Sequence, residues 1–404
     1  MYQNLAVIAL FAFAYSLLAG RLDRGTINGP VVYLAFGVIA GPLALGWLDL
    51  DIGREGIRSI AELTLALVLF TDASNADLSV LRRTLRLPQR LLLIGLPLTI
   101  LFGVVTGSLL FPGLGLLEVA ILATMLAPTD AALGKAVVAN PVVPAPVREG
   151  LSVESGLNDG ICVPILFTFL AIASGSGAGE SAGQIALHLI VEEIGIGLAV
   201  GVGLAIIGSW ALRAASQNGW IDDAWLGIPI VALAFASFTL AQYIGGSGFI
   251  ACFAGGLTFG ARTKEHKHAV LEGAEGTGEA FALITWVIFG AAVAWQHPGS
   301  FDWRIGVYAV LSLTVVRMFP VFISLLGLGV RTDATLFIGW FGPRGLASLV
   351  FVAIVMNEKL PGNDTLVATV VATVFLSILA HGLSANPLAT AFGARAKSDP
   401  GGAT

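Results

Sequence analysis

Glu154 and Asp159 stand five positions apart in a stretch that is otherwise mostly apolar, Glu154-Ser155-Gly156-Leu157-Asn158-Asp159, followed by an apolar run from Ile161 to Ala173. Carboxylates that deep in a membrane helix cost on the order of 3 kcal/mol each to insert, and they usually mark an ion or proton path. Glu154 and Asn158 are four apart and share a helix face. Asp159 is rotated about 100° from Asn158 and can face a different cavity. Glu154 calls for a counter-charge. Arg317 is the candidate, because it lies mid-span in Thr314-Val315-Val316-Arg317-Met318-Phe319. A buried pair of this kind is neutral as a unit and suits a structural or gating element better than a carrier. Desolvation opposes the charged form of Asp159, so that it could hold a proton and exchange it for a cation. Oxygens from Asp159, Asp130, Thr129 and Ser155 could form a small site for a hard monovalent cation. Soft metals would ask for Cys or His clusters instead.

These residues need elements to hold them, and the composition says which kind. The chain has 404 residues, 56% apolar and only 12% charged, with a mean hydropathy of +0.88. Soluble domains carry about twice that charge. Soluble enzyme, nucleic-acid binder and disordered scaffold are therefore excluded, and an all-α polytopic membrane protein is expected. The 50 glycines fit close helix packing in lipid. Cys162 and Cys252 lie in apolar stretches and read as free core thiols.

Thirteen spans are expected, near 4–19, 30–48, 57–73, 91–111, 115–139, 147–173, 184–210, 226–244, 246–260, 279–296, 305–329, 334–356 and 365–385. With the N-terminus outside, fifteen of the 21 Lys and Arg fall in inside loops, four in outside loops, and Arg317 and Arg344 within spans. That asymmetry supports an N-out, C-in, multi-pass arrangement. The first span has no basic residue ahead of it and reads as a spanning helix rather than a cleaved signal. The organisation reads as one transmembrane unit over 1–404: a six-helix repeat over 1–173, a linker helix over 184–210, a second six-helix repeat over 226–385, and a short cytoplasmic tail over 393–404. The tail is expected to carry no regulatory domain. The linker contains Gly197 and Gly201 in a GxxxG spacing, either ordinary glycine packing or a close helix interface.

The fifth and twelfth spans are both interrupted. The fifth holds Leu126-Ala127-Pro128-Thr129-Asp130, and the twelfth holds Gly339-Trp340-Phe341-Gly342-Pro343-Arg344-Gly345. Pro removes a backbone donor and Gly loosens a helix. Each break carries a charge, Asp130 or Arg344, which could offset the exposed half-helix dipoles. Interrupted helices at matching positions of two repeats point to a midplane site in secondary transporters. Other polar residues say less. Glu62 could line an access cavity or bond a neighbouring helix. One of Glu192 and Glu193 should face water or a partner. His266 and His268 flank Lys267 in an inside loop, read as solvated, with pH sensing as the alternative. His188 and His381 read as hydrogen-bonders between helices.

Taken together, Ala127-Pro128-Thr129-Asp130, Glu154 to Asp159, Arg317 and Gly342-Pro343-Arg344-Gly345 resemble the monovalent cation:proton antiporters. The similarity is to the electroneutral NhaP-type branch and covers nearly the whole chain. It implies an inverted-repeat fold with two crossed discontinuous helices, a homodimer in the lipid bilayer, and alternating access by an elevator-like movement of a six-helix core. It implies that Asp159 carries cation and proton, with Asp130, Thr129 and Ser155 completing the site. It further implies that Glu154 pairs with Arg317, that Asn158 supports the pair, and that Arg344 sits at the helix crossing. Ala131 follows Asp130 where the family usually has Pro. Electrogenic relatives resemble this pattern with Asp-Asp, so Asn158-Asp159 leaves one titrating carboxylate and fits one proton for one cation. The membrane potential, ~2.3 kcal/mol per charge per 100 mV, would then not drive the cycle.

The sequence thus points to a sodium (or potassium or lithium)/proton antiporter of a cell's inner membrane, serving sodium and pH homeostasis, with no catalytic residue, cofactor or nucleic-acid partner. One competitor is a sodium-coupled symporter for an organic anion, for which Arg344 is the one residue that could serve the anion. A second is an intramembrane aspartyl protease with Asp130 and Asp159 as its dyad. The chain lacks the Tyr-Asp and Gly-x-Gly-Asp stretches that such proteases carry.

Overall fold

A computed structural model describes residues 2–22, 28–42, 44–50, 54–75, 86–130, 133–138, 140–174, 190–222, 225, 227–263, 267–293, 302–356, 358 and 360–398. Ala131, His188 and His266, together with the side chains of Lys267 and His268, lie outside the described residues. The fold is helical throughout, with no strand among the described residues. Among the described residues, six helices are long and apolar enough to cross a membrane, and four shorter ones are also apolar. The longest stretches follow from sequence alone. The 29-residue helix over the Glu154 motif is about 44 Å long at ~1.5 Å per residue.

The chain forms two compact units, each assembled from separated segments. The first comprises Met1–Arg58, Thr84–Asn158 and Leu283–Thr404. It contains α1 (Tyr2–Leu22), α2 (Gly29–Ala40), α4 (Arg86–Leu110, with a π-helical turn at Leu91–Gly95), the interrupted pair α5 (Leu116–Met125) and α6 (Lys135–Val138), and the first part of α7 (Ala145–Ala173). It also contains α12 (Trp303–Leu313), α13 (Val315–Leu325), the second interrupted pair α14 (Thr332–Trp340) and α15 (Leu346–Val355), and α16 (Asn363–Ser398). The second comprises Ser59–Arg83 and Asp159–Ala282. It holds most of α3 (Arg54–Asn75), the rest of α7, α8 (Gly195–Gln217, entered through a π-helical turn at Ile190–Ile194), α9 (Ile228–Tyr243), α10 (Gly248–Arg262) and most of α11 (Lys267–Ile288).

In the first unit both interruptions fall where the sequence loses backbone donors. α5 closes with Leu126 N–H on Leu122 O and Ala127 N–H on Thr124 O, and Pro128 cannot extend it. α14 ends at Trp340, and the chain stays non-helical through Pro343 until α15, whose ten residues are all buried. Glu118 fixes the start of α5, accepting from Gly115 N–H (2.8 Å) and from Gly362 N–H (2.7 Å). Asn28, just ahead of α2, donates from its side chain to Leu133 O at 3.1 Å and so anchors the approach to α6. One break was not legible: the span over 305–329 reads as continuous, yet Thr314 (φ −110°, ψ −93°) separates α12 from α13. The Thr314 hydroxyl turns back onto Val310 O at 2.7 Å, the local competition with the helix that Thr side chains offer.

In the second unit, α8 packs on α10 through the GxxxG glycines. A Cβ at Gly197 would lie 2.7 Å from Ser247 O, and one at Gly201 would strike Ala251 O. The spacing is therefore a close interface in which Gly201 is the only residue type that fits. Cys162 and Cys252 are free and buried. Glu62 is partly buried, Glu192 exposed and Glu193 partly buried.

Candidate functional site: a crossing of two broken helices

The two breaks of the first unit meet, and each supplies the charge that the other's helix ends lack. Arg344 Nη1 donates to Ala127 O (2.9 Å) and Pro128 O (3.1 Å), just past the C-terminus of α5. Ser348 Oγ, on α15, donates to the Met125 carbonyl at 2.8 Å. In return, Asp130 Oδ2 accepts the Leu346 N–H at the head of α15 (2.8 Å), and its Oδ1 accepts the Leu133 N–H ahead of α6 (3.2 Å). The Asp130 N–H closes the crossing on Pro343 O at 2.8 Å. A cation thus sits at a helix C-terminus and an anion at N-termini, the favourable sense for both dipoles. The crossing is tight. A Cβ on Gly345 would strike the Asp130 carboxylate, so only glycine admits this approach.

α7 fastens the first break from the side. Thr129 gives three groups to it. Its N–H donates to Asn158 Oδ1 (3.3 Å), its Oγ1 accepts from Asn158 Nδ2 (2.7 Å), and its carbonyl accepts from Ser155 Oγ. The resemblance implies that Asn158 supports the Glu154 pair, and in the structure its carboxamide bonds Thr129. The physical reason is register. Asn158 lies one turn beyond Glu154, and a carboxamide offers both the acceptor and the donor that Thr129 needs, whereas the pair closes on itself. Arg317 donates from Nη1 to Glu154 Oε1 at 2.5 Å and from Nη2 to Oε2 at 2.8 Å. Both side chains are 2% exposed. The fork geometry is the strongest available to a guanidinium and a carboxylate. Gly342 leaves the space in which Arg317 Nε lies.

Thr129, Glu154, Ser155, Asn158, Arg317 and Arg344 are all buried. Asp159 is 8% exposed; it follows Asn158 on α7 and is the first residue of the second unit. Beside the lock lies a cavity of about 10 Å³, with Thr129, Asp130 and Ser155 on its polar side and Val137, Leu151 and Phe341 on its apolar side. That is room for about one water.

Sequence reasoning passed lightly over α16. Its residues Thr369, Thr373, Ser377 and His381 are all buried. Ser377 Oγ accepts the Arg344 N–H at 2.7 Å, and His381 Nε2 lies 2.8 Å from Trp340 O. The signal was present as a polar stripe at a four-residue spacing within an apolar helix.

A membrane protein built around two crossed broken helices, with a buried ion pair and a buried carboxylate on the helix that fastens them, is a secondary-transporter architecture. The chain belongs to the sodium/hydrogen exchanger transmembrane family, matching it over residues 6–391. Among curated relatives, it is 24% identical over 382 residues to the K(+)/H(+) antiporter NhaP2 of Shewanella oneidensis, covering 93% of this chain and 64% of that protein. It is 27% identical over 408 residues to the Na(+)/H(+) antiporter NhaS2 of Synechocystis, covering 95% and 69%. It is 24% identical over 409 residues to a Na(+)/H(+) antiporter of Schizosaccharomyces pombe, covering 93% and 86%. The chain therefore spans about two thirds or less of the Shewanella relatives' length. Its fold matches that of the sodium proton antiporter MjNhaP1 of Methanocaldococcus jannaschii, with a TM-score of 0.77 and 19% identity, covering 96% of this chain and 98% of that one.

Proposed function

We propose that this protein exchanges a monovalent cation, Na⁺ with K⁺ and Li⁺ as competitors, for a proton, and that the two compete for Asp159. The observation that carries the reading is the lock of Thr129 onto Ser155 and Asn158. It fixes main-chain and hydroxyl oxygens of the broken helix to the helix that bears Asp159, one turn after Ser155 on the same face. Hard oxygen donors with one carboxylate suit an alkali cation. A cation or a proton on Asp159 cancels its charge, and only the loaded site is then cheap to carry past an apolar barrier. That coupling makes the two fluxes obligatory partners.

Asn158 supports an electroneutral cycle. Its carboxamide is neutral and is engaged on Thr129, so the Asn158-Asp159 pair offers one carboxylate for one proton and one cation. The named activities of the relatives, Na(+)/H(+) and K(+)/H(+) antiport, agree with this class of reaction. Glu154 with Arg317 holds the core, and Asp130 with Arg344 holds the crossing, with Asp130, Thr129 and Ser155 within reach of the cation path. We further assign the chain to a homodimer in a cell's inner membrane, N-terminus outside, working by an elevator-like movement. Organic-anion symport loses its support, because Arg344 is turned onto the Ala127 and Pro128 carbonyls. The test is collapse of an imposed pH gradient in proteoliposomes by Na⁺, K⁺ or Li⁺ with the potential clamped. The apparent cation half-saturation should rise as pH falls, and a cation response independent of pH would reject the competition.

A further inference from the structure

Two buried residues of α16 that the transport reading does not use hold the second break at both of its ends. At its front, His381 Nε2 lies 2.8 Å from the carbonyl oxygen of Trp340, the last residue of α14. At its back, the Arg344 N–H donates to Ser377 Oγ at 2.7 Å. The two holding groups are tied to each other. His381 Nδ1 lies 3.2 Å from Ser377 Oγ and 2.9 Å from the Ser377 carbonyl. They sit one helical turn apart on one face of α16, at 0% and 1% exposure.

The Trp340 carbonyl can only accept, so its contact with Nε2 is a hydrogen bond when Nε2 carries a hydrogen. Nδ1 lies between the Ser377 carbonyl, which can only accept, and Ser377 Oγ, which takes the Arg344 N–H. The Trp340 carbonyl also takes the Gly342 N–H at 2.9 Å. Residues 341–345 are thereby pinned at both ends to a helix that takes no part in the crossing itself. Everything the break does depends on where it is pinned. Pro343 presents its carbonyl to the Asp130 N–H, Arg344 reaches the end of α5, and Gly342 leaves the space beside Arg317 and Thr129.

We propose that His381, donating from Nε2 to the Trp340 carbonyl and acting with Ser377, is a positioning residue that sets the geometry of the 341–345 break and, through it, the affinity of the cation site. The inference rests on the reading that the crossing and Asp159 form the transport site. It differs from mere packing in its chemistry. A donor is required where Nε2 stands, and an apolar side chain of similar bulk does not supply one. Gln can carry its amide N–H to the Nε2 position. Asn ends at the Nδ1 position and leaves the Trp340 carbonyl unserved.

The experiment uses the full chain reconstituted in proteoliposomes, with Na⁺ as the probe, for wild type, H381L, H381N, H381Q and S377A. His381→Leu and His381→Asn should raise the apparent Na⁺ half-saturation by about tenfold, the worth of one buried hydrogen bond, with a smaller change in maximal rate. His381→Gln should restore it. In parallel, deuterium exchange of residues 341–346 in nanodiscs should be faster in H381L, H381N and S377A and return to the wild-type rate in H381Q. Wild-type half-saturation and protection in H381L would overturn the proposal, and so would a folded H381Q that behaves like H381L. If the wild type itself exchanges no cation, the transport reading fails, and the deuterium exchange still decides whether His381 holds the break.

Discussion

Removing the charge of Glu154 tests how the core is held. Glu154 and Arg317 meet through two hydrogen bonds of 2.5 and 2.8 Å, with both side chains 2% exposed. Opposite unit charges about 4 Å apart attract by ~4 kcal/mol at an effective dielectric of ~20. Truncating one partner of a buried pair costs a similar ~3–5 kcal/mol, because the other charge is left buried alone. Glu154→Leu and Arg317→Met should therefore each destabilise the fold by about 3–5 kcal/mol. The double variant E154L/R317M should recover most of that loss, since an apolar pair of similar volume strands no charge. The assay is a double-mutant cycle on reversible denaturation in mixed micelles, read by tryptophan fluorescence. A coupling energy above about 2 kcal/mol is expected from these magnitudes. Single variants of near wild-type stability, with coupling below about 0.5 kcal/mol, would refute the reasoning. The double variant should also retain cation-dependent proton movement, because the proposed carrier carboxylate, Asp159, is left in place.

Thr129→Val removes the Oγ1 that accepts from Asn158 Nδ2 at 2.7 Å and keeps the shape. The apparent cation half-saturation should rise by about tenfold, from one buried donor left unserved, in protein of normal yield. Gly345→Ala drives a methyl into the Asp130 carboxylate. It should cost about 1–3 kcal/mol of overpacking and abolish exchange, read by unfolding midpoint and flux. Asp130→Asn turns one of its two capping oxygens into an amide and removes the charge at the head of α15. A loss of about 1–2 kcal/mol is expected in the same denaturation assay.

Much of this architecture was legible because insertion into lipid makes every intramembrane charge and every helix breaker costly enough to need a reason. Pro128 with Asp130, and Gly342-Pro343 with Arg344, marked both breaks. The reciprocal arrangement of the two charges at the crossing lies beyond sequence, since it depends on how two segments more than 200 positions apart approach. The contact of Asn158 with Thr129 was hidden for a related reason. Helix periodicity puts it on the face of Glu154, but only the fold decides that Thr129 arrives at its level. Thr314 breaks its span without Pro or Gly, through a hydroxyl that bonds its own preceding turn, and such competition leaves no compositional trace. Ser377 and His381 left a visible stripe with Thr369 and Thr373, although a stripe of polar residues does not name its partner.

The most direct test is Asp159→Asn in proteoliposomes with a clamped potential and an imposed pH gradient. Asparagine keeps the size of the side chain and cannot exchange a proton for a cation. The wild type should dissipate the gradient on addition of Na⁺, K⁺ or Li⁺, and the variant, folded and of normal yield, should respond to none of them. A variant that still moved protons in response to a cation would contradict the central role of Asp159.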